Sequence, residues 1–470
     1  MPARNLTEGR VVEGFTVEKK LHVGGMAVLW QVTHPDHPRP LVMKVPRLAE
    51  GEDPAAIVSF EMEQMIMPRL SGPHVPRFIA NGGFDTQPYL IMEMIEGPSL
   101  LAESEAAPLP PARVAEIGAM VAEALDSLHG QHVVHLDVKP ANILLRDGMA
   151  VLVDFGLSHH TELPDLMGEE FRLPYGTAPY MAPEQIMRLR SEARSDLFAL
   201  GAMLYMLVTG LTPFGNPQRI GALQKRLWWD PHPPRELRPE CPEWLQEIIL
   251  RCLEVQPERR YPTAAQLAFD LRHPDQVPLT LRAKKLQRDS WTARIRRRFH
   301  PDHKPRFTRN AGAVAGISTA PIVVVAVDVT DQENALGAAL RSTLSNILAT
   351  LPKARIACVN VLRHNIISLD TTLDEQGRNK HVQRLVELQH WAAPLKLPEG
   401  RITFHVLEGT SPASVILDYA RLNRVDHIVL GARTASFKRK VLGSVSGEVA
   451  AEAPCNVTVV RLRNPGASEG

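Results

Sequence analysis

The fold is decided by the stretch His135-Leu136-Asp137-Val138-Lys139-Pro140-Ala141-Asn142 and by a second apolar run that ends in Asp154-Phe155-Gly156. Apolar residues of strand type, 143–145 and 151–153, separate the polar side chains of these two stretches. This pattern is typical of loops that present charged groups where strands end. We therefore begin with the chemistry that the polar residues could perform.

The four polar side chains suit the transfer of a phosphoryl group. Such a site must orient a hydroxyl, hold magnesium and stabilise negative charge on the transferred group. Asp137 is suited to accept or orient the hydroxyl proton, and Lys139 to steady the phosphate. Asn142 and Asp154 supply oxygen atoms of the kind that magnesium prefers.

These stretches resemble the catalytic loop and the Asp-Phe-Gly element of the eukaryotic-type serine/threonine protein kinases. The resemblance implies a bilobal α+β kinase domain over residues 15–275, with an N-lobe at 15–95 and a C-lobe at 96–275. It implies that ATP and Mg²⁺, or Mn²⁺, bind between the lobes and that proteins bearing Ser or Thr are the substrates. Lys139, two residues after the catalytic aspartate, indicates serine/threonine specificity.

Two other classes remain open. One is a pseudokinase, a nucleotide-binding scaffold that signals through its conformation, and the other is a small-molecule kinase on the same fold. The joint presence of Lys44, Asp137, Asn142 and Asp154 favours an active enzyme. The segment 176–184 resembles the peptide-positioning segment of protein kinases, which favours a protein substrate.

The N-lobe stretch 15–45 alternates in polarity like a small antiparallel sheet. Around Gly24-Gly25 it resembles the glycine-rich loop that covers the nucleotide phosphates. The resemblance implies that the nucleotide contacts Leu21, Val23, Gly24, Gly25 and Val28. His22 and Ala27 stand where the first and third glycines are usual, and a plain hairpin turn is the alternative.

Lys44 lies in an apolar strand and resembles the lysine that grips the nucleotide phosphates. A lysine snorkelling at a sheet edge is the alternative. Residues 57–70 are typical of a helix, and the resemblance implies that Glu63 on this helix pairs with Lys44. Glu61 competes for the role. Since the two acids lie on different helical faces, only one can reach Lys44, and we expect Glu63.

The strand 89–97 ends at a glycine and resembles the hinge between the lobes. The resemblance implies that Met92 lines the back of the adenine pocket, while the carbonyl of Glu93 and the amide of Met94 bond the base. Packing of both methionines in the core is compatible with this role.

Three residues are expected to support the site. In the resembling kinases an acid at the position of Glu184 pairs with a buried arginine, here Arg260, and an aspartate at the position of Asp196 anchors the catalytic loop. Leu136 replaces the arginine that reads a phosphate on the activation loop (157–175), and leucine cannot pair with phosphate. We therefore expect that loop phosphorylation is not the principal on-switch, although Ser158, Thr161 and Thr177 can still be modified.

The remaining composition limits the partners. The 470 residues carry a net charge of +1 and four scattered cysteines, without a signal peptide or an apolar run long enough to cross a membrane. A cytoplasmic protein with packing cysteines is expected. Polar tails at 1–14 and 463–470 flank the domains, and a basic linker at 276–319 joins them. The linker is either a solvated tether or a segment docked on the kinase lobe, and it indicates no nucleic-acid binding.

Residues 320–462 alternate buried strands with helices, which predicts a doubly wound parallel sheet. This region resembles the universal stress protein family, so a sensing, regulatory or dimerising role is expected, with homodimerisation through the strand 457–460. Thr434 departs from the family's nucleotide motif, and a domain that binds nothing small is the alternative. The resemblance implies an adenine-nucleotide site built from Asp328, Gly431, Gly443, Ser444, Val445 and Ser446.

Overall fold

The computed structural model describes residues 6–48, 54–290, 292, 320–329, 335–363, 373–374, 378–398, 400–432 and 443–462. Within these ranges the chain forms a two-lobed domain followed by an α/β domain. This confirms the predicted fold class. Much of the predicted linker, the whole C-terminal tail (463–470) and Thr434 lie outside the described residues.

The N-lobe is an antiparallel sheet covered by one helix. Alternate residues of a strand face opposite sides, so Met43 packs with Val17 and Val32 while Lys44 faces the helix. The helix is α1 (Ala55–Ile66), and the described strands, in the order β1-β2-β3-β4-β6-β5, are β1 (Val11–Val12), β2 (Phe15–Val23), β3 (Ala27–His34), β4 (His37–Pro46), β5 (Phe78–Gly82) and β6 (Tyr89–Glu93).

The C-lobe is mostly helical. Its central helix is apolar on every side and buried over 195–208, as expected for a helix enclosed by others. The described helices are α2 (Leu101–Glu105), α3 (Pro111–His129), α4 (Leu166–Glu170), α5 (Pro183–Ile186), the central α6 (Arg194–Thr209), α7 (Ile220–Leu223), α8 (Pro234–Leu237), α9 (Glu243–Cys252) and α10 (Ala264–Arg272).

Two small strand pairs lie under the N-lobe and carry the catalytic loop. They are β7 (Val133–Val134) with β10 (His159–His160), and β8 (Ile143–Arg146) with β9 (Met149–Leu152). Asp147 and Gly148 close the second hairpin with φ angles of 50° and 76°, which is the turn that Asp-Gly favours. The two apolar runs, 143–145 and 151–153, are therefore joined by a two-residue turn.

The packed C-lobe continues beyond the predicted boundary at residue 275. Ala283 is fully buried, Arg282 pairs with Glu247 at 3.1 Å, and Lys285 pairs with Asp230 at 3.3 Å. The first part of the basic linker therefore docks on acidic side chains of the lobe.

The second domain is a parallel sheet with helices on both faces. Val323 and Val325 pack toward one pair of helices, whereas Val324 packs toward the other. The described strands, in the order β13-β12-β11-β14-β15, are β11 (Ile322–Ala326), β12 (Arg355–Arg363), β13 (Ile402–Gly409), β14 (His427–Gly431) and β15 (Asn456–Val460). The helices are α11 (Ala335–Thr350), α12 (Lys380–Ala392), α13 (Pro412–Asn423) and α14 (Ser444–Glu452).

The two domains touch where α4 lies against β13 and α13. Among the described residues no helix has both the length and the apolar character needed to cross a bilayer. Cys241, Cys252 and Cys358 are buried, and burial raises the pKa of each thiol. These cysteines pack in the interior.

Candidate active site

Strand β4, helix α1 and the Asp-Phe-Gly element bring three charged groups together. Lys44 Nζ lies 2.5 Å from Glu63 Oε2 and 2.7 Å from Asp154 Oδ1. The structure thus pairs Lys44 with Glu63 and not with Glu61. Although burial opposes the charged form, the carboxylates of Asp154 and Glu63 raise the pKa of Lys44. Glu63 Oε1 also accepts a hydrogen bond from the amide of Phe155 at 3.2 Å, which ties α1 to the Asp-Phe-Gly element.

The electrostatics of Asp154 follow from this contact. Desolvation alone would raise its pKa, but the positive charge of Lys44 outweighs it and lowers the pKa of Asp154 to about 2. The carboxylate is therefore ionised at neutral pH. Asp154 has a φ angle of 69°, a left-handed conformation that costs energy in any residue with a side chain and that the surrounding contacts hold.

Asp137 is held on both carboxylate oxygens. Oδ1 accepts hydrogen bonds from the amide of Thr177 at 3.0 Å and from its hydroxyl at 2.7 Å. Oδ2 accepts from Lys139 Nζ at 2.6 Å and from Asn142 Nδ2 at 3.1 Å. These four hydrogen bonds give the side chain one orientation. It lies beside residues 176–184, the segment predicted to position the substrate and called the substrate segment below.

Asn142 also donates through Nδ2 to the main-chain oxygen of Asp137 at 3.0 Å. With the amide nitrogen used in this way, the side-chain oxygen is the end of Asn142 suited to a cation. Asn142 and Asp154 together offer a neutral oxygen and an ionised carboxylate, a donor set that fits Mg²⁺.

The catalytic loop is anchored from below by α6. Asp196, which is 1% exposed, accepts hydrogen bonds at 2.8 Å from the amides of His135 and Leu136. Leu136 has a φ angle of 64°, and its carbonyl accepts a hydrogen bond from Gln185 Nε2 at 2.8 Å. Both main-chain groups of this strained residue are held, so Asp137 next to it is fixed.

Two glycines permit close approach of the elements around the cleft. A Cβ atom at Gly156 would collide with the hydroxyl of Ser59 on α1, and one at Gly97 would collide with the carbonyl of Leu145 on β8. Glycine at these positions lets the Asp-Phe-Gly element pack on α1 and lets the hinge pack on the C-lobe.

The end of the substrate segment is held by a buried ion pair. Arg260 Nη1 and Nη2 bond Glu184 Oε1 and Oε2 at 2.6 and 2.8 Å, and neither side chain is exposed. Ser195 Oγ donates to the same carboxylate at 2.6 Å. The structure thus pairs Glu184 with Arg260, the two residues that the sequence analysis singled out.

The hinge and the glycine loop border the cleft on the N-lobe side. Met92 is buried, and Glu93 pairs through its side chain with Arg146 at 3.0 Å. Leu21 and Val23 are exposed, and Val28 lies opposite Val23 in the β2–β3 pair. The amide of Gly24 donates to the carbonyl of Ala27 at 2.9 Å, which closes a hairpin turn.

In the second domain a cavity of about 680 Å³ opens at the carboxyl ends of β11 and β14. This is where the strand order turns back on itself, the usual ligand crevice of a doubly wound sheet. Helix α14 begins at its wall with Ser444, and Ser446 Oγ donates to the carbonyl of Gly443 at 3.2 Å. The structure brings the whole predicted set to this wall: Asp328, Gly431, Gly443, Ser444, Val445 and Ser446.

Comparison with protein families matches the model of the protein kinase domain to residues 15–271, more than half of the chain. The chain belongs to the protein kinase family. The model of the universal stress protein family matches residues 320–461, so the kinase domain is followed by a stress-protein domain. Both families predicted from sequence are confirmed.

Similar proteins are bacterial kinases. Serine/threonine-protein kinase PknF of Mycobacterium tuberculosis is 32% identical over 276 residues, 57% of this chain and 58% of PknF. Serine/threonine-protein kinase PknB of the same organism is 28% identical over 340 residues, 70% of this chain and 52% of PknB. The crystal structure of the M. tuberculosis PknI kinase domain covers 57% of this chain and 99% of that chain at 26% identity, with a TM-score of 0.45. The chain spans little more than half the length of the curated relatives it matches.

Sequence reasoning missed three residues of the kinase site. Thr177 was noted only as modifiable, yet it bonds Asp137 and, at 3.1 Å, Lys139. Gln185 follows Glu184 and was not singled out. The signal that the sequence offers for Gln185 is its position directly after the substrate segment.

Arg226 is the third missed residue. Its guanidinium is 1% exposed and donates to the main-chain carbonyls of Met181 and, at 2.8 Å, Ala178. It also lies over the ring of Phe214, 5.1 Å from the centroid. Burial lowers the pKa of Arg226 to about 10, which leaves it charged at neutral pH. The guanidinium of Arg226, in the turn that follows α7, therefore holds the main chain of the substrate segment in place.

Proposed function

We propose that the protein is a serine/threonine protein kinase that transfers the γ-phosphate of ATP to the hydroxyl of a serine or threonine in a protein substrate. The observation that carries the proposal is the fixed orientation of Asp137, which Lys139, Asn142 and Thr177 hold beside the substrate segment. The similarity to bacterial serine/threonine kinases supports it.

In this proposal Asp137 accepts a hydrogen bond from the substrate hydroxyl and so aims its oxygen at the γ-phosphorus. Lys139, bonded to Asp137, offsets the charge of the transferred group. Lys44, placed by Glu63, bonds the phosphates that stay on the nucleotide. The residues act mainly by positioning and charge stabilisation, because phosphoryl transfer requires little covalent chemistry from the protein.

Asn142 and Asp154 would hold the metal ion, Mg²⁺ or Mn²⁺. Across the described ranges no cluster of three His, Cys, Asp or Glu side chains could hold a metal alone, so phosphate oxygens would complete the ligand set. A divalent ion there would neutralise charge on the phosphates.

For the adenine base we propose the hinge after β6, with Met92 behind the ring and the carbonyl of Glu93 as the acceptor. In extended backbone, groups of residues i and i+2 face the same side. Where the hinge stays extended, the amide that shares the side of the Glu93 carbonyl is therefore that of Ile95. We therefore propose the amide of Ile95 as a donor to the base, in addition to the predicted amide of Met94.

One observation favours the alternative of a nucleotide-binding scaffold. The Gly24 amide is engaged by Ala27, and Arg47 Nη1 donates to the carbonyl of Gly24 at 3.1 Å. A backbone donor that a phosphate would need is thus used inside the turn. A loop that contacts the phosphates less closely would slow transfer more than it would weaken nucleotide binding, which is the behaviour expected of the scaffold.

For the stress-protein domain we propose a sensing or regulatory role, with an adenine nucleotide in the cavity and homodimerisation through β15. The small residues Gly431 and Gly443 and the start of α14 support the nucleotide, since a helix N-terminus attracts phosphate. The position of β15 at the sheet edge supports the dimer. A cytoplasmic location is part of the same proposal.

The test of the kinase is transfer of radiolabelled phosphate from ATP with Mg²⁺, followed by phosphoamino-acid analysis. Wild type is expected to place label on serine or threonine, and Asp137→Asn is expected to place none. Asp275→Asn, an exposed aspartate of the C-lobe, is the matched control. Label in Asp137→Asn equal to wild type would contradict the proposed role.

The nucleotide of the stress-protein domain is tested by the stoichiometry of ATP binding to the full chain. Ser444→Glu places a negative charge at the exposed start of α14, which stabilises the helix but repels phosphate. Two sites in wild type and one in Ser444→Glu are expected. A single site in both proteins would contradict the second nucleotide.

A further inference from the structure

Helix α4 lies in the predicted activation loop, residues 157–175, called the activation segment below. It contacts the stress-protein domain through the side chain and the main chain of Glu169. Glu169 Oε1 accepts a hydrogen bond from Arg355 Nη2 on β12 at 2.6 Å, and Oε2 accepts one from the hydroxyl of Tyr419 on α13 at 3.0 Å. The carbonyl of Glu169 accepts a third from Asn423 Nδ2 at 3.2 Å. Arg355 and Tyr419 are 5% and 4% exposed. The activation segment is thus seated in a polar pocket of the second domain.

His405 on β13 completes the pocket. It is fully buried, with Nδ1 2.8 Å from Glu170 Oε1 and Nε2 3.2 Å from Glu169 Oε2. Burial alone would lower the pKa of His405, but its contacts with Glu169 and Glu170 raise it to about 9. A charged imidazole therefore lies between two carboxylates of α4.

Because these groups are buried, breaking one of their ion pairs while the others stay intact is energetically costly. Removing one member of a buried, hydrogen-bonded ion pair leaves the other charge uncompensated, which is far more costly than losing an exposed pair. The interface offers both kinds, since Arg172 and Asp418 form an exposed pair at 2.6 Å at its rim. The geometry of α4 is set by the buried groups.

The pocket is connected to the catalytic site through α1. This helix packs on α4 and is buried over most of its surface. Its Glu63 pairs with Lys44. Burial and the negative charge of Glu170 raise the pKa of its Glu61, whereas the positive charge of His405 lowers it. A shift of α4 would therefore be felt by the helix that positions Lys44.

We propose that α4 is the docking surface of the stress-protein domain, and that this docking holds the activation segment, and through it α1, in the catalytically competent arrangement. The contact would do for this chain what a phosphate on the activation loop does in kinases with an arginine at the position of Leu136. The proposal rests on the proposed kinase function.

The experiment measures two quantities on the full chain: the rate of phosphate transfer, and amide hydrogen exchange of α1 and α4. The variants are Tyr419→Phe, which removes one hydrogen bond at constant shape, and Arg355→Met, which strands the charge of Glu169. Both are expected to accelerate exchange in α1 and α4. Arg355→Met is expected to lower transfer about tenfold, within the usual range of allosteric couplings.

Tyr261→Phe is the matched control, because it also removes a hydroxyl donor to a buried carboxylate, that of Asp270 at 2.9 Å, but inside the C-lobe. It should leave the exchange of α1 unchanged. Asp418→Asn, at the exposed rim, should behave like wild type.

Transfer by Arg355→Met at or above the wild-type rate would overturn the proposal, as would unchanged exchange of α1 and α4. If wild type transferred no phosphate, the proposed function would fail. Faster exchange of α1 in Arg355→Met would then still support the docking.

Discussion

Glu61 and Glu63 stand two residues apart on α1 and have different surroundings. Glu63 Oε2 lies 2.5 Å from Lys44 Nζ in the active site, whereas Glu61 lies near Glu170 and His405 at the domain interface. The helix therefore joins the nucleotide-facing side of the kinase domain to α4, which contacts the stress-protein domain. Most side chains of α1 are buried, so neighbouring elements contact the helix on nearly every side.

We predict that Glu63→Gln lowers phosphate transfer about a hundredfold, because misplacing Lys44 by a small distance disturbs a site that works by positioning. Glu61→Gln is the matched control. Burial, together with the negative charge of Glu170, raises the pKa of Glu61 to about 8, so at pH 7 a neutral glutamine resembles the side chain already present. Steady-state kinetics at pH 7 should separate the two. Equal losses in both variants would contradict the assignment of Glu63.

We predict that the stability of the interface falls as the pH rises. Since the pKa of His405 is about 9 when folded and about 6.5 in an unfolded chain, its contribution is complete below pH 6.5 and is lost through pH 9. The contribution corresponds to at most about 3 kcal/mol of unfolding free energy. The groups that face His405 are Glu61, Glu169, Glu170, Thr403 and Tyr419.

Thermal unfolding of wild type and His405→Gln from pH 6 to pH 9.5 measures this effect. Wild type should lose stability relative to the variant from about pH 6.5 to about pH 9. Glu61 contributes in the same direction between about pH 4.5 and pH 8, because its folded-state pKa is also raised. Parallel curves for the two proteins would show that His405 is not charged in the folded state.

We predict that Arg226→Met raises the KM for a peptide substrate and leaves the KM for ATP unchanged. The variant frees the carbonyls of Ala178 and Met181, so the segment that receives the peptide loses a brace. Arg226→Lys should restore part of the effect. An increase in the KM for ATP instead would place the defect in the nucleotide cleft.

We predict that Ser158→Ala with Thr161→Ala retains activity, while Thr177→Val loses about a hundredfold through misplaced Asp137. Ser158 is fully buried and its hydroxyl donates to the carbonyl of His135 at 3.1 Å. Thr177→Ser keeps the hydroxyl and should remain active. Loss of activity in the Ser158 and Thr161 double variant, with an unchanged unfolding temperature, would revive loop phosphorylation as the on-switch.

Much of the kinase site was predictable because its residues are close in sequence or are marked by local pattern. Asp137, Lys139 and Asn142 share one loop, and Asp154 follows a strand-like run. Helical geometry allowed only one of Glu61 and Glu63 to reach Lys44, and the resemblance to protein kinases favoured Glu63. The parallel sheet of the second domain was predictable in the same way, from apolar runs that alternate with helices.

Other contacts could not be predicted because they join residues far apart in sequence. Arg226 lies in a stretch whose composition is typical of a surface, and it is buried where the turn 224–227 packs against α5 and the substrate segment. Docking of the basic run on the kinase lobe was one of two alternatives, but the sequence did not indicate that Glu247 would be the partner of Arg282. The contact of Glu169 with Arg355 spans 186 residues and depends on how two folded domains meet.

The most direct test of the central claim measures ATP binding and phosphate transfer in the same preparations of full-length wild type, Asp137→Asn and Asp154→Asn. The account predicts transfer to serine or threonine by wild type alone, with ATP binding retained by Asp137→Asn and with the Mg²⁺ dependence of binding reduced in Asp154→Asn. Binding of ATP by wild type without transfer to itself or to generic protein acceptors would contradict the account and support the scaffold.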